Sequence, residues 1–377
     1  MEGVFTHMKL SCEKAVLLEG LSSTIRAVAV KSPIPAMEGF LLQAEEILKI
    51  TCYNSELGIR TSVSAMVSSP GSLVLPAKLT LDIIRALPDE IVTIESDESF
   101  TTTVRCGASV FNLIGLNPQD FPELPVLTEA SSVTLPAGAL RSMINGVLFA
   151  ASDSDNNPIL TGCKFEFTRD LLTLVALDYF RMAIRREPIE YNEKEDLSFV
   201  VPARSLRELE RFLANEEDTV HIALSRKNIA FSIGNTILTS QLLEGEFMNY
   251  RNVLPKSSSL SIQINTEQFL RSLERTSIII SESMKNNTIF EFDSDVVRLS
   301  CNTAIGRAYD ECPITTLSGG TLRISFNSRY LIDAMRACRD ENAMIDMNTD
   351  LSPCIIRPIE GDRYLYFVMP VRLKDNV

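Results

Sequence analysis

Three sets of charged residues share one spacing. Lys78, Asp82 and Arg85 stand at i, i+4 and i+7, as do Arg204, Glu208 and Arg211, and again Arg329, Asp333 and Arg336. At 100° per residue each set falls within about 60° of one helix face, in the order basic, acidic, basic. Two chemistries fit such a stripe. It is a solvated face held by ion pairs worth a few tenths of a kcal/mol each, or a surface that turns one surplus positive charge toward a polyanion. Recurrence in three places favours the second. The contact would be weak and blind to sequence, because phosphate contacts supply non-specific affinity while base contacts specify.

Bond-making chemistry has no comparable centre. The chain holds two histidines, His7 and His221, too few for a multi-histidine metal site, and neither stands where a histidine-based triad could form. The eight cysteines are scattered through apolar strand patterns without a C-x-x-C pair, which reads as buried reduced thiols. No G-x-x-x-x-G-K-[ST], G-x-G-x-x-G or G-x-S-x-G occurs. The expectation is a protein that is not an enzyme and needs no metal or cofactor.

The elements that carry the stripes are themselves repeated. V-L-P-A-K-L-T-L-D-I-I-R-A-L at 74–87 returns as V-V-P-A-R-S-L-R-E-L-E-R-F-L at 200–213 and, loosened, as I-S-F-N-S-R-Y-L-I-D-A-M-R-A at 324–337. Each copy is an apolar strand running into an amphipathic helix. Pro76, Pro202 and Phe326 hold one place at a spacing of roughly 125 residues, against the 20 to 50 of stacked solenoid units, so the repeat is a whole domain. A second strand-to-helix element, aligned on Leu17, Leu140 and Phe269, keeps the register. Between the two, the runs at 47–52, 171–175 and 296–301 alternate with the period of strands.

Connectors at 120–132 and 250–259 each carry proline and then serine before the next repeat begins, which makes them stiff and extended. At 45% hydrophobic and 23% charged the composition is that of a globular protein. No apolar run approaches a membrane span and residues 1–7 lack the pattern of a signal peptide, so a cytoplasmic protein without membrane contact is expected. A net charge of -13 argues against tight nucleic-acid binding, leaving room for an acidic exterior around a mildly basic inner surface.

The three units, with L-V-L-P-A-K, F-V-V-P-A-R and F-N-S-R-Y-L, and the terminal Y-F-V-M-P-V-R-L at 366–373 resemble the bacterial DNA sliding clamp family, the beta subunit of DNA polymerase III, from about Met8 to Leu373. Met8-Lys9-Leu10 resembles the beginning of the family's chains. The resemblance implies an α+β chain of three tandem clamp domains, 1–127, 128–255 and 256–377. Helices would line an inner face and antiparallel sheets the outside, and two chains would close head to tail as a dimeric ring. It implies a processivity factor of DNA replication, a homodimer around duplex DNA without sequence specificity. The seven residues expected to face DNA are Lys31 and the six stripe cations Lys78, Arg85, Arg204, Arg211, Arg329 and Arg336. Phe111 and Leu113 would meet Ile278 and Ile279 of the partner chain.

The family's pocket for short linear motifs of polymerase, clamp loader and repair proteins carries over to Leu160, Leu177, Tyr179, Arg181, Met182, Met248 and Val253. On the side of the tail it takes Phe367, Val368, Met369, Pro370, Val371, Arg372 and Leu373, with Asn327 and Tyr330 at its edge. Such a site buries a few apolar anchors of an extended peptide. Leu177, Tyr179 and Phe180 replace the family's usual threonine, glycine and histidine, and Met248 and Asn252 replace a proline and an arginine. A tighter, less basic pocket with altered side-chain preference follows. The loop at 152–160 lacks the arginine and tyrosines some members turn to DNA. A repeat scaffold that binds only proteins, and an enzyme working through carboxylates alone, are the alternatives.

Overall fold

The computed structural model describes residues 7–125, 127, 131–154, 156–191, 196–280 and 287–373. Most of the N-terminal extension (1–6), part of the first connector (126 and 128–130), Asp155 of the 152–160 loop and the last four residues lie outside them.

All six repeated segments are strands that run into helices without a loop. Lys9–Glu13, Ser131–Pro136 and Leu260–Asn265 enter α1 (Lys14–Thr24), α3 (Ala137–Asn145) and α5 (Thr266–Ser277). Gly71–Pro76, Leu197–Pro202 and Leu322–Phe326 enter α2 (Ala77–Ala86), α4 (Ala203–Glu210) and α6 (Ser328–Ala337). The starts and stops follow from local chemistry. Asn265 and Asn327 cap α5 and α6, each side-chain oxygen accepting from a first-turn amide, Gln268 N at 3.0 Å and Arg329 N at 3.1 Å. Pro88 follows Leu87 and holds it extended, ending α2. Along α2, Ala77, Leu81 and Ile84 are buried at helical spacing while Lys78, Asp82 and Arg85 remain exposed. The chain at Arg211 differs from the expected helix. The main chain of α4 has already tightened to i,i+3 bonds, Arg211 N to Glu208 O at 3.2 Å, so the last cation of the second stripe stands one residue past the helix.

By contact the chain divides into two compact units, Met1–Gly138 with Glu208–Leu242, and Ala139–Arg207 with Leu243–Val377. The reason is that sheets run on from repeat to repeat. In the first unit Leu57–Val63 pairs antiparallel with Thr236–Gln241, joining an 8-stranded sheet, beside a separate 5-stranded sheet that ends at Ser109–Ile114. In the second, Arg181–Pro188 pairs antiparallel with Tyr364–Val368 within a 12-stranded sheet. The middle repeat therefore contributes strands to both units.

Alternation fills the cores. Leu48, Ile50 and Cys52 of strand Leu48–Tyr53 are fully buried, and α1 lies so close to this sheet that a Cβ on Gly20 would stand 2.9 Å from Ile50 Cδ1. In the second unit Phe290 packs between Phe269 of α5 and Phe326, ring centroids 6.4 and 5.7 Å apart, each ring burying upward of about 150 Å². No helix among the described residues is long and apolar enough to cross a membrane.

Candidate functional site

A cleft of about 420 Å³ opens in the second unit where four chain segments meet. Leu177 ends one strand and Met182 is the second residue of the next, and the two are paired across the intervening turn. Phe367 pairs with Met182 from the other side. Leu160, on the short turn Pro158–Thr161, completes an apolar floor, while Met248, just before the second connector, Val253 within it and Met369 form walls. The floor residues are buried and the walls half exposed, so an entering apolar side chain would lose its water against both.

The three-residue turn at 178–180 holds the rim. Asp178 accepts from the amides of Phe180 (2.7 Å) and Arg181 (2.9 Å), and Met369 N donates to Phe180 O at 2.8 Å, which fixes the tail against the turn. Arg181 lies over the Tyr330 ring at 4.6 Å and is held by two carboxylates, Asp178 at 3.1 Å and Asp333 of α6 at 2.6 Å. The acidic member of the third stripe thus binds Arg181 rather than its own helix, and Arg336 turns to Glu274 at 2.8 Å.

Nine of the sixteen expected pocket residues line this cleft: Leu160, Leu177, Tyr179, Arg181, Met182, Met248, Val253, Phe367 and Met369. The others stand beside it. Val368 alternates with Phe367 and faces the opposite side of the strand, buried. Tyr330 stacks on Phe180 with centroids 6.2 Å apart, and Asn327 is occupied as the α6 cap. Val371 N donates to Ser325 O at 2.8 Å, carrying Pro370, Val371, Arg372 and Leu373 away along the strand Leu322–Phe326. Asn157, Asp178 and Glu246 also line the cleft and are not among the expected pocket residues. Phe247 packs into the core cluster, which leaves its neighbours Glu246 and Met248 on the cleft side.

A buried carboxylate holds the connector wall in place. Glu166 receives Tyr250 Oη at 2.7 Å, Arg251 Nη2 at 2.6 Å and Lys164 Nζ at 2.8 Å. Burial opposes its charge, but the bonds from Arg251, Lys164 and Tyr250 win and hold the carboxyl at about 2. Tyr250 is pushed up by burial and by the same carboxylate.

The stripe cations all lie at the surface. Arg85 pairs with Asp82 at 3.5 Å and Arg211 with Glu208 at 3.0 Å, whereas Lys78, and Lys31 in an exposed loop, make no ion pair among the described residues. Two of the open strand edges among the described residues lie at or beside expected interface segments. Ser109–Ile114 is the outer strand of its sheet, and residues 306–312 of Gly306–Ser318 pair on one side only, with Val296–Thr303. Leu113 faces inward, 6% exposed, while Phe111 is 37% and Ile114 79% exposed. Ile278, just past α5, is 79% exposed, and Ile279 is half-buried.

All eight cysteines are buried and unpaired, and burial pushes the Cys338 thiol up to about 12. His221 shares a hydrogen bond with Thr134 at 3.0 Å across a strand pair, and His7 one with Ser96 O at 2.6 Å. Among the described residues no three metal-binding side chains gather.

Comparison with known proteins agrees over the whole length. Family models for the DNA polymerase III beta subunit match in order, the N-terminal domain at 8–125, the central domain at 134–249 and the C-terminal domain at 251–372. The beta sliding clamp of Halalkalibacterium halodurans is 33% identical over 380 residues, covering 97% of this chain and 100% of the relative. The crystal structure of the DNA polymerase sliding clamp from Bacillus subtilis superposes with a TM-score of 0.93 at 27% identity, covering 98% of this chain and 100% of that one. A Pseudomonas aeruginosa sliding clamp bound to griselimycin superposes at 0.91 and 25% identity, with 97% and 100% covered. With three tandem clamp domains matched end to end, the chain belongs to the DNA polymerase III beta subunit family, the bacterial sliding clamps.

Proposed function

We propose that this chain is the processivity factor of DNA replication, a clamp that slides along duplex DNA and tethers its partners through the cleft of the second unit. The carrying observation is the unbroken run of three beta-subunit domains from 8 to 372. The domains are 1–127, 128–255 and 256–377, and two chains close head to tail into a ring of six.

The strand edges support that closure. Leu57–Val63 with Thr236–Gln241 joins the first repeat to the second, and Arg181–Pro188 with Tyr364–Val368 joins the second to the third. Each junction pairs the last strand of one repeat with an inner strand of the repeat before. The series leaves over Ser109–Ile114, the last strand of the first repeat, and the open edge at 306–312 of the third. Pairing these between copies makes the same junction again, and an open edge of this kind otherwise invites aggregation. Phe111 and Leu113 then belong to the seam with Ile278 and Ile279 of the partner chain. Measured by sedimentation, the native particle is expected at twice the 41.9 kDa chain mass. A monomer at micromolar concentration contradicts the ring.

Duplex DNA passes through without being read. Lys31, Lys78, Arg85, Arg204, Arg211, Arg329 and Arg336 offer a mildly basic surface inside a chain of net charge -13, enough to keep the backbone centred without arresting it. Retention comes from topology. Replicative polymerase, clamp loader and repair proteins dock short apolar motifs in the cleft lined by Leu177, Met182, Phe367 and Met369. Met369→Ala is expected to weaken such a peptide about tenfold, roughly 1.4 kcal/mol. The backbone bond of residue 369 to Phe180 O would remain, so stability should hardly change. Unchanged affinity in a calorimetric titration argues against this cleft as the docking site.

A further inference from the structure

The cleft's charge differs from what a basic, acid-reading pocket would carry. Arg181 is the only cation among its lining residues, and both Asp178 and Asp333 already hold it. Glu246 lines the same cleft, is exposed, and makes no ion pair among the described residues. Its place is built: Phe247 packs into the core cluster beneath, with Lys164 Nζ 5.6 Å from its ring centroid, and Tyr250 is pinned by Glu166, so Glu246 and Met248 are left on the cleft side. The rim therefore carries net negative charge over an apolar floor.

The other compact unit shows what kind of segment suits this position. There Tyr53 pairs with Gly58 and Gly58 with Thr239, in the register in which Leu177 pairs with Met182 and Met182 with Phe367. Over that spot the proline-bracketed run P-E-L-P at 122–125 sets Leu124 down so closely that a Cβ on Gly58 would collide with Leu124 Cδ2. The chain thus covers one copy of the junction with its own extended leucine-bearing segment. The copy with the open cleft has Met182 in place of the glycine.

We propose that the peptides docking in the 177/182/367 cleft carry a leucine-type anchor flanked by lysine or arginine, and that Glu246 reads that flanking cation. This rests on the docking role proposed above and names the chemistry of its partners. A glutamate in the flanking place would meet the unpaired carboxylate with Arg181 already engaged.

The test uses the full-length protein and four fluorescein-labelled nine-residue peptides followed by fluorescence polarisation. Three share a leucine anchor pair and differ only in flanking lysine, glutamine or glutamate; the fourth has the lysines but serines for leucines. At low salt the lysine peptide should bind about fivefold tighter than the glutamate peptide, the scale of one half-exposed charge interaction acting with both signs. The gap should close by about 0.5 M salt, where the screening length falls to a few ångströms. Glu246→Lys should reverse the order of the lysine and glutamate peptides. Binding that needs the leucines but ignores the flanking charge, or the same order in wild type and Glu246→Lys, overturns the proposal and leaves the docking role standing. Binding indifferent to leucine-to-serine replacement, or no binding by any of the four, overturns both.

Discussion

Ile278→Asp should convert the proposed dimeric ring into monomers of 41.9 kDa. The side chain is 79% exposed in the single chain, so the substitution costs the protomer little. At the proposed seam it replaces a sec-butyl group that the pairing would bury, worth about 2 kcal/mol, with a carboxylate whose desolvation costs about 2 kcal/mol more. The sum is roughly a thousandfold at each of the two seams that close the ring, enough to part the protomers at micromolar concentration. Leu351→Asp changes an equally apolar exposed residue in the turn after strand Asn342–Met347 and serves as the control, expected to leave the mass alone. A dimer that survives Ile278→Asp places the seam elsewhere.

Glu166→Ala is expected to lower stability by about 3 kcal/mol, the low end for removing one partner of a buried ionic cluster. Three donors, from Tyr250, Arg251 and Lys164, lose their acceptor together, and the segment that carries Met248 and Val253 comes loose from the sheet. The effect has a pH signature. The folded carboxyl titrates at about 2 against an ordinary 4.5, so its stabilisation is complete above about pH 5 and disappears as pH falls toward 2. The gap between wild type and Glu166→Ala in urea denaturation should therefore narrow across that window. A gap constant from pH 6 to pH 3 means the cluster contributes packing rather than charge. Peptide affinity should fall as well, since one wall of the cleft is lost.

What could be read from sequence was what repeats. The strand-to-helix elements and the stripes of Lys78, Arg204 and Arg329 recur at one spacing, so each copy supports the others. Apolar alternation likewise marks the strands at 47–52, 171–175 and 296–301, whose structural counterparts are Leu48–Tyr53, Leu171–Leu177 and Val296–Thr303. The single tail motif is legible for another reason, its close match to the family ending. Features that depend on long-range meeting of segments left no such trace. Asp333 looks like a partner for its own helix and instead holds Arg181, 152 residues away in sequence. Val368 sits within the tail motif, yet strand alternation turns it from the cleft that Phe367 and Met369 enter. Arg211 depends on where α4 tightens, which is a matter of one turn of backbone. Glu246 owes its place to Phe247 and Tyr250 being anchored below, a packing fact with no periodicity to announce it. The division into two compact units is hidden for the same reason, because sheet continuity joins strands from different repeats.

Encirclement is the central claim, and retention on circular against linear DNA tests it most directly. The protein is loaded onto nicked circular duplex with its clamp loader and ATP, separated from free protein by gel filtration, and half the sample is then linearised with a single-cut restriction enzyme. Protein should stay with the closed circles and leave the linear molecules from their ends, with little change in retention at moderate salt because no strong phosphate contact is needed. Equal retention on circular and linear DNA, or none on circles with a competent loader, contradicts it.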